Sequence, residues 1–122
     1  MKTTLAKTAM VLVLFMAATM VQADDAALKK DLLGYWKSGR HAYLYKDDGI
    51  VYMMGGTTKS KWDIRNGMYL ESGDVNSDPS GEGEKILALT KTKFTVLQSD
   101  GPYTLKRITK AEAERYGMPD QL

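Results

Sequence analysis

The chain contains no cysteine and a single histidine, His41. Disulfide staples, on which small exported domains often rely, are therefore excluded. So are zinc sites built on thiolates, and one histidine cannot supply a multi-histidine site. Common catalytic patterns are also missing. There is no Gly-x-Ser-x-Gly elbow, no cysteine nucleophile and no phosphate-cradling glycine loop. Ser80 lies in a polar stretch with no base nearby, and Asp47 and Asp48 fall in a turn, where aspartate is expected for backbone reasons. The chain reads as a non-enzyme with no cofactor.

A long apolar run is lacking as well. The longest, Met10 to Ala18, is short for a bilayer core of roughly 30 Å. Lys2 and Lys7 precede it, Val21-Gln22-Ala23 offers small residues beyond it, and Asp24-Asp25 follows. This is the layout of a secretory signal peptide, the alternative being a buried or membrane-spanning helix. The reading predicts a signal peptide over 1–23, cleavage after Ala23, a periplasmic or secreted product, and one domain over 24–122. No cysteine stands at the cleavage site, so no lipoprotein anchor is expected. Losing Lys2 and Lys7 leaves 15 basic residues against 15 acidic ones. A neutral domain without a basic block has no electrostatic footprint for nucleic acid and no polybasic patch for anionic lipid.

What is present is a series of short β-rich runs cut by turn dipeptides. Asp48-Gly49, Asn66-Gly67 and Asp100-Gly101 each separate two such runs, and these pairs supply the positive φ angles that tight hairpins need. Softer turns fall at Gly55-Gly56 and Lys91-Thr92. The pattern predicts eight strands, at 35–40, 41–46, 50–54, 59–65, 68–72, 84–90, 93–98 and 102–107. Eight sequential antiparallel strands in a chain this short predict an all-β, up-and-down barrel, because closure removes aggregation-prone edges. A sandwich or half-open roll is the alternative. A short helix is expected from Asp24 to Leu33, with acidic residues at its start and Gly34 at its end. Another is expected from Thr109 to Tyr116, opened by a Thr109/Glu112 capping box and stopped by Gly117. Residues 74–84 form the one long polar loop.

Gly34-Tyr35-Trp36, placed directly after the first helix, and Arg107, at the end of the last strand, together resemble the lipocalins and the wider calycin group. Residues 33–107 are similar in particular to the small lipocalin-like domains of exported bacterial proteins. The matching positions are Leu33, Gly34, Trp36, Lys37, Tyr45, Asp48, Gly49, Trp62, Ile64, Asn66, Gly67, Ile86, Leu89, Leu105 and Arg107. The resemblance implies that Gly34, Trp36 and Arg107 close one end of the barrel, with the guanidinium over the indole. Such a tryptophan buries roughly 150–250 Å², and the stacked cation adds about 0.5–2 kcal/mol. The chain is far shorter than a full lipocalin, lacks its Thr-Asp-Tyr motif and has only a short C-terminal helix. Whether the interior is hollow or filled therefore stays open.

If strand alternation turns Tyr45 inward, Tyr43 and His41 share its face. Val51, Met53, Trp62, Ile64, Phe94, Val96, Tyr103 and Leu105 complete the expected interior. His41, Tyr43, Tyr45, Trp62 and Tyr103 are the candidate ligand-binding residues, able to stack and to place a few hydrogen bonds. The alternative is a plain aromatic core whose hydroxyls reach solvent at the rim. His41 could bind a ligand or sense pH, or simply sit at that rim. Asp74, Asn76 and Asp78 alternate like the first ligands of a calcium loop, but Pro79 and Lys85 stand where an EF-hand needs Gly and Glu. A solvated loop without metal is the reading.

The expected function is an exported, non-enzymatic, lipocalin-like binding module for a small apolar or aromatic ligand. One alternative is a periplasmic inhibitor or immunity protein that caps a cell-wall-active enzyme through the 74–84 loop or a strand edge. Another is an envelope structural or stress protein without a ligand. The expected partner is thus a small molecule or a periplasmic protein, not nucleic acid or membrane.

Overall fold

The computed structural model describes residues 24–120, so the apolar run and the expected cleavage site after Ala23 lie outside the described residues. Eight strands follow one another: β1 (Gly34–Ser38), β2 (His41–Tyr45), β3 (Ile50–Met53), β4 (Thr58–Arg65), β5 (Met68–Ser72), β6 (Glu84–Leu89), β7 (Lys93–Gln98) and β8 (Gly101–Arg107). Each pairs antiparallel with the next. β8 then returns to β1 through Trp36↔Arg107 and Lys37↔Lys106, which closes the barrel. The flanking helices are α1 (Asp25–Leu32) and α2 (Lys110–Arg115). The fold is the closed up-and-down barrel rather than the sandwich.

The turns follow from backbone preference. Asn66 (φ 54°) and Gly67 (φ 72°) are both left-handed, as a two-residue hairpin requires. A further tight turn at Gly39 (φ 58°) separates β1 from β2, where the turn dipeptides of the sequence mark nothing. Met54–Gly56 forms a 3₁₀ turn instead of extending β3. The β6–β7 register shifts between Ile86 and Ala88, and Leu87 at that bulge is exposed.

α1 is capped by the residue before it and fastened across one end of the barrel at three places. Asp24 caps its start, accepting from the Ala26 N–H at 3.1 Å. The Asp25 carboxylate accepts from the backbone N–H groups of Asn66 and Gly67 at 2.7 and 2.9 Å, so the helix start seals the β4–β5 turn. Lys29 Nζ pairs with Asp63 at 2.8 Å. At the helix end, Trp36 Nε1–H donates to the Leu32 carbonyl at 2.8 Å.

Trp36 is fully buried, and the Arg107 guanidinium lies over its ring at 4.1 Å. Arg107 also donates to the helix-end carbonyls of Leu33 (2.9 Å) and Asp31 and to the Lys91 carbonyl in the β6–β7 turn (2.8 Å). Gly34 is needed beside it. Its φ of +119° suits glycine, and a Cβ there would come within 2.8 Å of Arg107 Nη1. The closure trio is therefore one interlocked fit.

Strand alternation makes two apolar layers. The interior holds Leu32, Trp36, Tyr45, Val51, Trp62, Ile64, Tyr69, Phe94, Val96 and Leu105. On the outside, Ala42 and Leu44 of β2 are covered by Ile108, Ala113 and Met118 as the chain passes through α2. The Thr109 hydroxyl caps α2, accepting from the Glu112 N–H at 3.1 Å. The segment 73–83 lies against β4, where Arg65 Nη1 donates to the Pro79 carbonyl at 2.9 Å and Lys61 meets Asp78 at 2.9 Å. Asp74 accepts from the Asn76 N–H and the Ser77 hydroxyl. The acids of the calcium-like spacing are thus taken up by backbone, hydroxyl and lysine.

Trp36→Ala is expected to cost roughly 3–5 kcal/mol in urea unfolding. A cost under about 1 kcal/mol, as at surface sites, would remove Trp36 as the barrel closure. Asp63 yields a pH dependence. Burial alone would raise its carboxyl, but hydrogen bonds from Lys29, the Ile64 N–H and Arg65 outweigh this and hold it below the ordinary value. A depressed carboxyl adds stability above its unfolded pKa of about 3.9, and that stability is lost as pH falls through the lower folded value. Asp63→Asn should therefore be less stable than wild type by about 1 kcal/mol at pH 7. The gap should close in acid; a gap unchanged with pH would show that the charge contributes nothing.

Candidate ligand-binding cavity

The barrel interior divides into two halves. Next to Trp36 it is filled by rings. Phe94 packs against Trp36 with centroids 6.1 Å apart, against Tyr69 at 5.5 Å and against Tyr45 at 6.3 Å. Trp62 meets Tyr45 edge-on at 5.4 Å. These tilted and edge contacts suit the ring quadrupoles. Beyond this floor the rings stop meeting, and a cavity of about 610 Å³ begins.

Tyr43 and Tyr45 of β2, Met53 of β3, Tyr69 and Glu71 of β5, and Glu84 of β6 line the cavity. Phe94, Val96 and Gln98 of β7, with Tyr103 and Leu105 of β8, complete the strand-borne wall. The remaining lining comes from Leu70 of β5 and from Ser80 and Gly83. β5 and β6 share only two paired positions, Met68↔Lys85 and Tyr69↔Glu84. Ser80 and Gly83, just before β6, supply wall where that ladder ends. Gly83 fits there because its φ is +76° and a Cβ would stand 2.8 Å from the Tyr69 carbonyl oxygen. Glu71 is exposed, so the cavity reaches solvent on its side.

Hydroxyls organise the wall. Tyr69 donates to Glu71 Oε1 at 2.6 Å and has no second proton to give. The 2.9 Å contact between Tyr45 and Tyr69 is therefore donated by Tyr45. Across the cavity, the Tyr43 and Tyr103 hydroxyls meet at 3.4 Å. Burial pushes the Tyr45 and Tyr69 hydroxyls far above the ordinary tyrosine value, and burial with the Tyr103 contact does the same for Tyr43. All three stay neutral at any physiological pH. Burial and, second, the nearby Glu71 charge raise the Glu84 carboxyl, against a lowering hydrogen bond from Gln98.

Tyr43, Tyr45 and Tyr103 thus stand where strand alternation expects them. Trp62 is interior but lies in the packed floor and does not line the cavity; its Nε1–H is buried without an acceptor. His41 stands apart from the cavity lining. It shares the face of Tyr43 and Tyr45, but it sits at the β1–β2 turn, beyond the enclosed part of the wall, and is exposed. Gly34, Trp36 and Arg107 meet one another away from the cavity, beneath the floor. Tyr69, Glu71, Glu84 and Gln98 are cavity residues absent from the expected set. Alternation along β5 and β7 carries the signal for three of them, since Tyr69 and Glu71 share a face, as do Phe94, Val96 and Gln98.

A smaller cleft of about 360 Å³ lies between α1, the β2–β3 turn, β4 and the 73–83 segment. Several of its charges pair with each other, Lys29 with Asp63 and Lys61 with Asp78. It is a seam between packed elements. Among the described residues, no group of three or more acids or histidines stands close enough to hold a metal ion. Comparison with models of protein families, with curated proteins and with solved structures finds no match in any of the three.

Glu84 generates an expectation about stability. A carboxyl raised on folding is destabilising when ionised, and the penalty is relieved as pH falls through its raised folded value. Glu84→Gln should therefore be at least as stable as wild type at pH 7 in chemical denaturation. Its advantage should fade as pH falls toward and below the ordinary glutamate value of about 4.3. A loss above about 1 kcal/mol at pH 7 would instead make the carboxylate part of the scaffold.

Proposed function

We propose that the protein is a non-enzymatic small-molecule binding module of lipocalin-like build, exported to the periplasm or beyond. The observation that carries this reading is the cavity. Its volume of about 610 Å³ falls within the roughly 300–1,000 Å³ of small-molecule sites, which join apolar walls to a few convergent polar groups. The lining has that composition: Phe94, Val96, Leu105 and Met53 beside tyrosine hydroxyls, two carboxylates and one amide. The lipocalin-like reading is supported by the closed eight-strand barrel and by Trp36 lying beneath Arg107 directly after Gly34. Export is supported by the leader-like pattern of residues 1–23. The non-enzymatic reading is supported by the state of the tyrosines, which are neutral and hydrogen-bonded among themselves. The capping role is less well supported. Every strand has a neighbour on both sides, and the 73–83 segment is tied to β4 instead of projecting as an arm.

The test is a fluorescence titration of the protein, purified from its own host, with N-phenyl-1-naphthylamine, a neutral aromatic probe. Saturable binding tighter than roughly 1 mM is expected. Val96→Phe and Met53→Trp, which fill the cavity from two walls, should each weaken it at least about tenfold while keeping a cooperative unfolding transition. Absent binding, or binding indifferent to both variants, would overturn the proposal.

A further inference from the structure

We propose that the cavity selects a cationic ligand: an organic ammonium or guanidinium compound with an aromatic or apolar body, its charge facing Glu71 and Glu84. This inference rests on the cavity being the binding site and adds the chemistry of what enters it. Two carboxylates line the cavity, and no Lys, Arg or His does so among the described residues. Where an acid is paired with a cation, the pair stands outside the cavity. Asp63 is paired with Lys29 and Arg65, Asp78 with Lys61, and Asp120 with Lys110. Among the described residues, neither Glu71 nor Glu84 has such a cationic partner.

The neighbouring groups hold these carboxylates in place without neutralising them. Tyr69 donates to one oxygen of Glu71, and the Gln98 amide stands near enough to Glu84 to lower its carboxyl in part. A carboxylate has about four lone-pair sites, so acceptor capacity remains on both. The two acids also disfavour one another: the Glu71 charge, after burial, keeps the Glu84 carboxyl raised. A cation between them removes that repulsion. Tyr43 and Tyr103 put aromatic rings, the kind of group ammonium ions prefer, into the lining. The apolar end of the ligand would lie toward Phe94, Val96 and Leu105. A fatty-acid or other carboxylate head would face two like charges at the same place. Glu71 is exposed, so solvent screening limits the discrimination to a modest factor.

Three probes share one body and differ only in head: 4-phenylbutylammonium, 4-phenylbutan-1-ol and 4-phenylbutanoate. Each is titrated at pH 7 and low salt by displacement of N-phenyl-1-naphthylamine, and amide chemical shifts map the site. The ammonium compound should bind at least about tenfold more tightly than the carboxylate, with the alcohol between them. Added salt should narrow that spread. In Glu71→Gln/Glu84→Gln the three should converge to within about threefold, with Glu84→Gln alone shifting the ranking part of the way. If the alcohol or carboxylate binds as well as the ammonium, or if the order survives in the double variant, the cationic assignment is overturned while the cavity stands. If N-phenyl-1-naphthylamine does not bind, the cavity reading falls first and takes this inference with it.

Discussion

The stack of Arg107 on Trp36 is the contact on which the rest of the barrel depends. It joins the last strand to the first at the position where the sheet must close. It also fixes α1 through the Asp31 and Leu33 carbonyls, and it forces a glycine at position 34. A chain without cysteine has no covalent means of holding its ends together. Here a guanidinium does part of that work, because its planar fork can stack on a ring face and still donate several hydrogen bonds at its edge. A lysine could supply the charge but not the geometry.

Closure at one end lets the other end stay open. Five rings, Trp36, Phe94, Tyr45, Tyr69 and Trp62, form a continuous set of tilted and edge contacts that fills the lower barrel. The choice between a hollow and a filled interior, open from the sequence, resolves into both, one above the other. Tyr45 and Tyr69 mark the boundary. Their rings belong to the packed floor, while their hydroxyls form a relay that ends on Glu71. A phenylalanine at either position would keep the packing and lose the polar surface above it.

Much of this was legible because it is local. The Asn-Gly and Asp-Gly turns state where hairpins fall, and strand alternation states which side chains share a face. Gly34, Trp36 and Arg107 were legible as a set only through resemblance, since β1 and β8 lie at opposite ends of the barrel sequence. Height along the barrel was not legible. His41 and Tyr45 share a face, but one is at a turn beyond the wall and the other is in the floor, a difference fixed by strand tilt and register. Glu71 and Glu84 were missed for another reason: a carboxylate in a half-buried strand reads as the solvent side. Register brings both to one cavity: Glu84 stands opposite Tyr69, and Glu71 shares the face of Tyr69 along β5.

Charge pairing elsewhere explains how this barrel builds an acidic cavity wall. The cations and anions of residues 24–122 are equal in number, so an unpaired acid inside requires that basic residues be placed elsewhere. The structure does this by spending lysines and arginines on seams, at Asp63, Asp78 and Asp120, and on the closed end through Arg107. Two like charges left facing one space weaken the folded state wherever both are ionised, as the raised Glu84 carboxyl records. A core selected for stability alone would use a glutamine or an apolar residue there. Placing that penalty on the wall of a solvent-reaching cavity is the arrangement expected when the missing counter-charge is carried by a visitor.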